Sequence, residues 1–255
     1  MLNMELVEKI KQKKELKGLS NEIVLSALNK YLLKNKISIS NLREKEEKVI
    51  IKEIRSELRN LTGQFQKSSR DRISLLKEKS LNSLLKTHSS TEERLDFYPE
   101  LKSIIGSLKP NSILDLGCGI NPIALASKNV EYFASDIKED ELSLIKEYFK
   151  ENKIKGKTFI YDLRLFDPKD FPKTDLTIIF KVLDVIEKKS HFLTEKIILG
   201  IKSKNILVSF ATKKLSGKPM NFPQRRWFIK ILEKHGLKYK TFSYKNEIFY
   251  LIHKI

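Results

Sequence analysis

A glycine turn and two acidic residues have the spacing of a nucleoside-binding site. Asp115-Leu-Gly-Cys-Gly119 follows an apolar segment, and its glycines allow the backbone to turn tightly and approach a ligand closely. Asp136 lies 19 residues beyond Gly117, at the end of the next predicted strand, where an acid can accept both hydroxyls of a ribose. Asp162 ends the third predicted strand and could accept a hydrogen bond from an adenine amino group; a plain turn residue is the alternative. Together they predict a nucleoside across the C-terminal ends of strands one to three.

The same turn limits which nucleoside is expected. Gly117-Cys-Gly-Ile-Asn-Pro122 lacks the third glycine of a dinucleotide-binding turn. The chain also lacks the glycine-rich loop ending in Lys-Ser or Lys-Thr that cradles the phosphates of ATP. The Asp-Leu-Gly-Cys-Gly form resembles the first motif of class I methyltransferases, which bind S-adenosylmethionine. The resemblance therefore implies that this cofactor is the ligand.

Four stretches, in chain order, resemble one family of methyltransferases more closely. They are Thr87-His-Ser-Ser-Thr-Glu-Glu-Arg-Leu95, Asp115-Leu-Gly-Cys-Gly-Ile-Asn-Pro122, Phe180-Lys-Val-Leu-Asp-Val-Ile-Glu187 and Leu207-Val-Ser-Phe-Ala-Thr-Lys-Lys-Leu-Ser-Gly217. These stretches are similar to the aminoglycoside-resistance 16S ribosomal RNA methyltransferase family, which methylates N7 of a guanine in the decoding site. That family has a helical N-terminal domain before a class I methyltransferase fold. The resemblance implies S-adenosylmethionine as cofactor, small-subunit RNA as partner and antibiotic resistance as one possible role, with a housekeeping role left open.

The resemblance also implies roles for individual residues of the cofactor pocket. Arg94 matches the arginine that holds the methionine carboxylate, which suits a guanidinium fork; a surface salt bridge is the alternative. Asp136 matches the ribose-binding acid, and Asp162 with Leu163 matches the pair around the adenine. Phe180 matches an apolar residue near the methyl-transfer end. The predicted cofactor set is His88, Ser89, Ser90, Arg94, Gly117, Gly119, Asp136, Asp162, Leu163 and Phe180.

Lys181 and Glu187 match two family residues important for activity, and they are the predicted catalytic pair. An ordinary surface pair at helical spacing is the alternative. Guanine N7 carries a lone pair and no proton, so its methylation needs positioning rather than a general base. An exocyclic amine as acceptor would favour an Asn/Asp-Pro-Pro-aromatic motif after strand four, where the chain has Phe180-Lys-Val-Leu183. A carbon-directed cytosine enzyme would need a nucleophilic cysteine, but Cys118 lies in the cofactor loop.

The charge distribution predicts a polyanionic partner. Lys and Arg number 50 against 32 Asp and Glu, a net charge of +18. Residues 1–84 carry 19 basic and 11 acidic groups, whereas residues 202–240 carry 11 basic groups and one acid, Glu233. A general codon bias toward lysine would spread the charge more evenly. A small-molecule substrate would not account for the C-terminal cluster.

Basic and aromatic residues after the fifth predicted strand are the candidate RNA contacts. Aromatic rings can stack on an exposed base and cations can contact phosphates. Trp227 and Phe228 could instead be core residues of the following helix. The predicted RNA-binding set is Lys213, Lys214, Lys218, Arg225 and Arg226, with Phe222, Trp227 and Phe228 as candidate stacking residues.

The elements needed to position these residues fall into two classes. Apolar residues recur at helical spacing in the first third, with Ser20 as a predicted N-cap, and no strand pattern occurs before residue 110. Thereafter strands and helices alternate, which predicts a parallel α/β sheet of the Rossmann-like class I methyltransferase type with a closing antiparallel hairpin. The predicted organisation is a helical RNA-docking domain at 1–84, a connecting segment at 85–109 that contributes to the pocket, and the methyltransferase domain at 110–255.

Composition excludes several other classes. No apolar run approaches the roughly 20 residues that span a bilayer, and residues 1–17 lack the apolar core of a signal peptide. One cysteine excludes an internal disulfide framework and a cysteine-rich zinc site. We expect a cytoplasmic, metal-free monomer that methylates small-subunit RNA. A methyltransferase of another RNA, and a catalytically silent RNA- or ribosome-binding protein, are the alternatives.

Overall fold

A seven-stranded sheet occupies the centre of the methyltransferase region. The computed structural model describes residues 2–39, 42–62, 71–187, 190–213 and 217–254. The strands are β1 (Ser112–Leu116), β2 (Glu131–Asp136), β3 (Gly156–Ile160), β4 (Thr174–Phe180), β5 (Ser203–Ala211), β6 (Lys238–Tyr244) and β7 (Glu247–His253). Their order is β3-β2-β1-β4-β5-β7-β6, with β1 to β5 parallel and the last two strands antiparallel. The predicted parallel sheet with its closing hairpin is confirmed.

Helices precede the sheet and connect its strands. Within the described residues they are α1 (Leu2–Lys11), α2 (Asn21–Asn35), α3 (Glu44–Thr62), α4 (Arg72–Lys77), α5 (Leu81–Leu85), α6 (Ser89–Glu93), α7 (Tyr98–Ser107), α8 (Pro122–Leu125), α9 (Glu139–Glu151), α10 (Leu183–Ile186), α11 (Phe192–Gly200) and α12 (Arg226–Lys234). Short 3-10 turns lie at Lys14–Leu16, Leu95–Phe97, Leu163–Leu165 and Pro168–Asp170.

The first three helices pack around their own apolar core. The Ser20 hydroxyl accepts a hydrogen bond from the backbone N–H of Glu22 at 3.2 Å, which confirms the predicted N-cap of α2. In α3, Ile50, Ile54 and Leu58 recur every four residues and are buried on one face. This bundle core is separate from the two cores that flank the sheet.

Each face of the sheet is covered by helices. Because side chains alternate along a strand, Ile113 packs on the face covered by α4, α5, α7, α8 and α9, and Leu114 packs on the opposite face. Residues of α10, α11 and α12 complete that second core. Burial on both faces explains why the parallel strands read as apolar runs in the sequence.

The helical bundle touches the sheet at the C-terminal ends of β2 and β3. The Ser20 N–H donates to the carbonyl of Ile137 at 3.2 Å, beside a single β-bridge between Leu19 and Lys138. Farther along, the Arg164 guanidinium donates to Glu57 of α3 at 2.6 Å. The bundle is therefore held against the strand ends where the nucleoside site is predicted.

Several helices differ from the sequence prediction. The apolar spacing at 69–85 predicts one helical segment, but the described residues there form two short helices, because Lys79 adopts a left-handed conformation with φ 56° and interrupts the apolar stripe. The sequence at 121–128 predicts a longer helix, but only α8, one turn long, forms there. Helices α7 and α11 were not predicted. Residues 69 and 70 lie outside the described residues.

Candidate active site

A pocket opens at the C-terminal ends of β1 to β4. It encloses about 880 Å³ of empty space, including its open mouth. The walls come from the β1 turn, the ends of β2 and β4, the segment after β3, helix α6 and the last residues of α3, Leu61 and Thr62. Ligands of open α/β sheets bind at these strand ends. The contribution of α3 was not predicted, because helical spacing alone does not show which helix end will meet the sheet.

The β1 turn depends on glycine at two positions. Gly117 has φ 65° and Gly119 has φ 50°, both in the left-handed region that side chains rarely adopt. A Cβ at Gly117 would lie 2.4 Å from Cγ2 of Val182, and a Cβ at Gly119 would lie 3.0 Å from Nε2 of His88. Both predicted glycines line the pocket, and their backbone forms its floor without side chains.

Asp136 lies on the pocket wall at the end of β2, and backbone groups hold its carboxylate. One oxygen accepts the N–H of Gly119 at 2.9 Å, and the other accepts the N–H of Lys138 at 3.0 Å. Burial, and then the nearby Glu141 carboxylate, raise the pKa of Asp136 to about 7. The structure thus brings the predicted acid and the predicted glycine turn into direct contact.

Asp162 and Leu163 also line the pocket, just after β3. The Asp162 carboxylate accepts the backbone N–H of Arg164 at 2.9 Å and pairs with the Arg164 guanidinium at 2.7 Å. Arg164 in turn reaches Glu57 of α3. Asp162 therefore caps a turn, as its alternative interpretation required, and at the same time faces the pocket.

Helix α6 presents one face to the pocket. His88, Ser90, Thr91 and Arg94 line it, whereas Ser89 does not. Successive helical residues are rotated by about 100°, so Ser90 and Arg94 share a face that Ser89 leaves. Ser89 therefore lies outside the pocket lining, and its predicted cofactor role stays a prediction. Burial lowers the pKa of His88 to about 4, so its imidazole is neutral near pH 7.

Arg94 is a pocket residue rather than a surface salt bridge. Its guanidinium is 2% exposed and lies over the Phe180 ring, 4.7 Å from the centroid. Nε and Nη2 donate to the Glu247 carboxylate at 2.8 to 3.1 Å. Glu247 could not be recognised from the sequence, because an acid at the start of an apolar strand is typical of a turn residue.

Lys181 lies in the pocket wall directly after β4, but Glu187 does not. Lys181 is buried with φ 57°, and its ammonium group contacts Glu93 and, at 3.5 Å, Glu247. Glu187 accepts the backbone N–H of Thr194 at 2.7 Å, near the start of α11. Glu187 therefore faces a helix end and lies outside the pocket lining, and its predicted catalytic role stays a prediction.

A buried polar network supports the pocket floor. Asp115 accepts the Tyr132 hydroxyl at 2.7 Å and the Asn121 amide at 3.1 Å, and Asn121 accepts the Tyr98 hydroxyl at 2.8 Å. Burial raises the pKa of Asp115 to about 6. The turn motif predicts the position of Asp115 but not this supporting role, which depends on Tyr132 and Asn121.

The predicted RNA-binding residues divide into exposed and buried groups. Lys213, Lys218 and Arg226 are exposed; Lys214 lies outside the described residues. Arg225 is 7% exposed and pairs with Asp184 at 2.6 Å, while its guanidinium also donates to the Ala211 carbonyl at 2.9 Å. The Arg225 guanidinium is therefore used inside the fold, and its RNA contact stays a prediction that this geometry does not favour.

The aromatic candidates divide in the same way. Phe222 is 67% exposed. Trp227 is half-buried and stacks on His191 with ring centroids 4.0 Å apart, and Phe228 is fully buried in the core. Only Phe222 offers an unobstructed ring to a partner among these three residues.

Within the described residues, no helix has both the length and the apolar composition of a membrane span. No group of three or more His, Cys, Asp or Glu side chains in the same part of the chain could hold a metal ion.

Two solved structures resemble this fold over almost its whole length. The 16S rRNA methyltransferase RmtF, solved with S-adenosyl-L-homocysteine, superposes with a TM-score of 0.80 and 20% identity, covering 100% of this chain and 98% of that one. The 16S rRNA methylase RmtB superposes with a TM-score of 0.77 and 21% identity, covering 99% and 98%. These likenesses confirm the predicted class I methyltransferase fold with its N-terminal helical region.

Sequence comparison points to the same family. A relative from Micromonospora echinospora, a 16S rRNA (guanine(1405)-N(7))-methyltransferase, is 29% identical over 187 residues, 69% of this chain and 66% of the relative, just under two thirds of its length. An enzyme of the same name from Serratia marcescens is 26% identical over 192 residues, 73% of this chain and 76% of the relative. The family model for ribosomal RNA methyltransferases (FmrO) matches residues 74–247. Because this match spans more than half of the 255 residues, the chain belongs to the ribosomal RNA methyltransferase (FmrO) family.

Proposed function

We propose that this chain transfers the methyl group of S-adenosylmethionine to N7 of a guanine in the decoding region of 16S RNA. The observation that carries the proposal is the Asp136 carboxylate on the wall of the strand-end pocket, fixed by the backbone of the glycine turn. The names of the relatives support the same RNA and acceptor atom, and the S-adenosyl-L-homocysteine bound to RmtF supports the cofactor class. Because the small subunit is the substrate, the proposal places the protein in the cytoplasm, where it acts as a monomer.

The pocket residues fit an adenosyl cofactor. Gly117 lets Val182 pack directly against the turn, because a Cβ at this position would lie 2.4 Å from Cγ2 of Val182. Asp136 would accept the ribose hydroxyls, and Asp162 with Leu163 would border the adenine. Arg94 would hold the methionine carboxylate through a charge-assisted hydrogen bond. When bound, S-adenosylmethionine supplies an activated methyl group on a sulfonium.

The chain contributes position rather than acid–base chemistry. Guanine N7 already presents its lone pair, so a residue that removes a proton is unnecessary, and alignment of the reacting atoms lowers the barrier. Phe180 and Lys181 lie where β4 ends, and both line the pocket beside Arg94. The Lys181 ammonium, held between Glu93 and Glu247, is a fixed cation at this end of the pocket. In this proposal it orients the substrates.

Exposed cations beyond β5 provide the RNA contacts of the proposal. Lys213 and Lys218 flank the short segment that follows β5, and Arg226 begins α12. Phe222 lies between Lys218 and Arg226 in the sequence, and its ring is exposed. Cations that neutralise phosphates supply affinity that weakens as salt rises, and an exposed ring can stack on an unpaired base.

Two neighbouring arginines are expected to behave differently when replaced by methionine. Arg225→Met removes a buried cation from Asp184, which is one-third exposed, and should lower the free energy of unfolding by about 2 kcal/mol. Arg226→Met changes an exposed side chain and should alter stability by less than about 0.5 kcal/mol. It should instead weaken 16S RNA binding and reduce the salt slope by about one. Urea unfolding and filter binding at several salt concentrations measure the two effects; equal stability losses would contradict this assignment.

The raised pKa of Asp136 predicts that cofactor affinity depends on pH. With a pKa of about 7, its carboxyl is mostly protonated at pH 6 and mostly ionised at pH 8. Ribose hydroxyls donate more strongly to the ionised form, so affinity for S-adenosylhomocysteine should rise about tenfold over this interval. Calorimetry at each pH measures the change. In Asp136→Asn the slope should largely disappear, leaving only the contribution of Asp115; an unchanged slope would contradict the assignment.

Transfer of a labelled methyl group tests the proposed function. Purified small subunits, large subunits and transfer RNA are incubated separately with the protein and labelled S-adenosylmethionine. We expect label in the 16S RNA of small subunits and little elsewhere. Label in another RNA would replace the proposed substrate, and S-adenosylhomocysteine binding without transfer to any RNA would favour a catalytically silent binding protein.

A further inference from the structure

Glu247 connects the two cations at one end of the pocket. It is the first residue of β7 and is 2% exposed. Its carboxylate binds Nε and Nη2 of Arg94, accepts the Ser209 hydroxyl, and lies 3.5 Å from Nζ of Lys181. Arg94 and Lys181 both line the pocket, whereas Glu247 does not.

We propose that Glu247 is a positioning residue that orients Arg94 toward the carboxylate end of the bound methyl donor. The inference rests on the proposed function and deepens it, because it assigns the control of amino-acid recognition to a residue outside the pocket lining. Glu247 acts through the guanidinium and does not itself contact the ligand.

The geometry restricts the guanidinium in two directions. Glu247 engages the Nε–Nη2 edge as a bidentate pair, and the Phe180 ring lies 4.7 Å from the guanidinium carbon. Bidentate pairing of an arginine with a carboxylate fixes its plane as well as its position. Because Glu247 binds the Nε–Nη2 edge, the guanidinium would bind the ligand carboxylate through its remaining N–H groups. The donor direction is therefore set before a ligand arrives, which reduces the ordering cost of binding.

The charges favour the same arrangement. Arg94 and Lys181 are both buried, and two buried cations without counterions would be strongly destabilising. Glu93 contacts Lys181. Glu247 contacts both Arg94 and Lys181 and is therefore the carboxylate that these two cations share. Ser209 on β5 donates to Glu247 and holds that carboxylate across the sheet. Removal of Glu247 would leave Arg94 without its fixed edge.

The test uses two ligands that differ in the group Arg94 recognises. S-adenosylhomocysteine carries the amino-acid carboxylate, and 5′-methylthioadenosine keeps the adenosine and sulfur but lacks it. In Glu247→Gln, affinity for S-adenosylhomocysteine measured by calorimetry should fall about tenfold, with 5′-methylthioadenosine changing less than about twofold. Glu247→Asp keeps the charge but retracts it, and should give a smaller loss of about threefold for S-adenosylhomocysteine alone.

Glu93→Gln is the matched control, because Glu93 contacts Lys181 and is not bonded to the Arg94 guanidinium in the described structure. It should leave the ratio of the two affinities unchanged. Equal losses for both ligands in the Glu247 variants would overturn the inference and indicate a general structural role, and unchanged S-adenosylhomocysteine affinity would also overturn it. If Glu247→Gln does not fold, the Glu247→Asp ratio decides. Failure of the unmodified protein to bind S-adenosylhomocysteine would instead defeat the proposed function.

Discussion

Replacement of Asp136 with alanine is expected to lower affinity for S-adenosylhomocysteine at pH 8 by a hundredfold or more. The bound ligand would lose the hydrogen bonds that its two ribose hydroxyls donate to the carboxylate. Hydrogen bonds to a charged acceptor contribute roughly 1.5 to 3 kcal/mol each. Two such bonds correspond to roughly a hundredfold or more in affinity. The variant also removes the acceptor that holds the Gly119 N–H, so the glycine turn itself loses a contact. Calorimetric titration measures the effect.

Glu139→Gln provides the matched control for this variant. Glu139 is an exposed acid three residues farther along, at the first position of α9, and it does not line the pocket. Its replacement should leave S-adenosylhomocysteine affinity within about twofold. If Asp136→Ala binds the ligand as tightly as Glu139→Gln does, the strand-end pocket is not the ribose site.

Replacement of Arg94 with methionine is expected to destabilise the unliganded protein by about 3 kcal/mol. Arg94 and Glu247 are each 2% exposed, and removal of one partner from a buried ion pair leaves an uncompensated charge. The estimate lies at the low end of the usual range because Lys181 remains 3.5 Å from the Glu247 carboxylate. Urea denaturation measures the change as a shift in the unfolding midpoint.

The double variant Arg94→Met with Glu247→Met should be more stable than Arg94→Met alone. Removing both charges eliminates the uncompensated carboxylate and substitutes apolar contact, so the two changes are expected to be strongly non-additive. Arg226→Met, an exposed arginine, should change the unfolding free energy by less than about 0.5 kcal/mol. Simple additivity of the two substitutions would contradict the buried-pair interpretation.

The residues that could be placed from the sequence are those whose role depends on local backbone and strand order. Gly117, Asp136 and Asp162 each lie at or just beyond the C-terminal end of a parallel strand, so strand order alone brings them to one edge of the sheet. All three line the pocket. The family prediction is likewise confirmed by the family match.

The residues whose partners could not be predicted depend on long-range contacts. Arg225 has the composition of an RNA-binding residue, but Asp184, 41 positions earlier in the chain, holds its guanidinium inside the fold. Glu187 lies close to Lys181 in sequence, yet its partner is the N–H of Thr194. Glu247 reaches Arg94 across a separation of 153 residues, which no local pattern reveals. Contacts between side chains that are far apart in the sequence were therefore harder to predict than the secondary structure.

The helical bundle has a role at the pocket that its charge did not indicate. Leu61 and Thr62 of α3 line the pocket, and Glu57 of the same helix binds Arg164, which pairs with Asp162. The proposed RNA-docking region and the proposed adenine-binding residues are thus linked by two ion pairs. RNA contacts on the bundle are a remaining expectation, supported by the excess of basic residues in the first 84 positions.

Identification of the methylated nucleoside shows whether the chain transfers the methyl group to N7 of a guanine in 16S RNA. Small subunits are methylated with labelled S-adenosylmethionine, the 16S RNA is digested to nucleosides, and the labelled product is identified by mass spectrometry against synthetic standards. We expect 7-methylguanosine from a single position of the decoding region, and no labelled product from the Asp136→Ala variant. A label on an exocyclic amine, on a ring carbon or on a ribose oxygen would contradict guanine N7 as the acceptor atom.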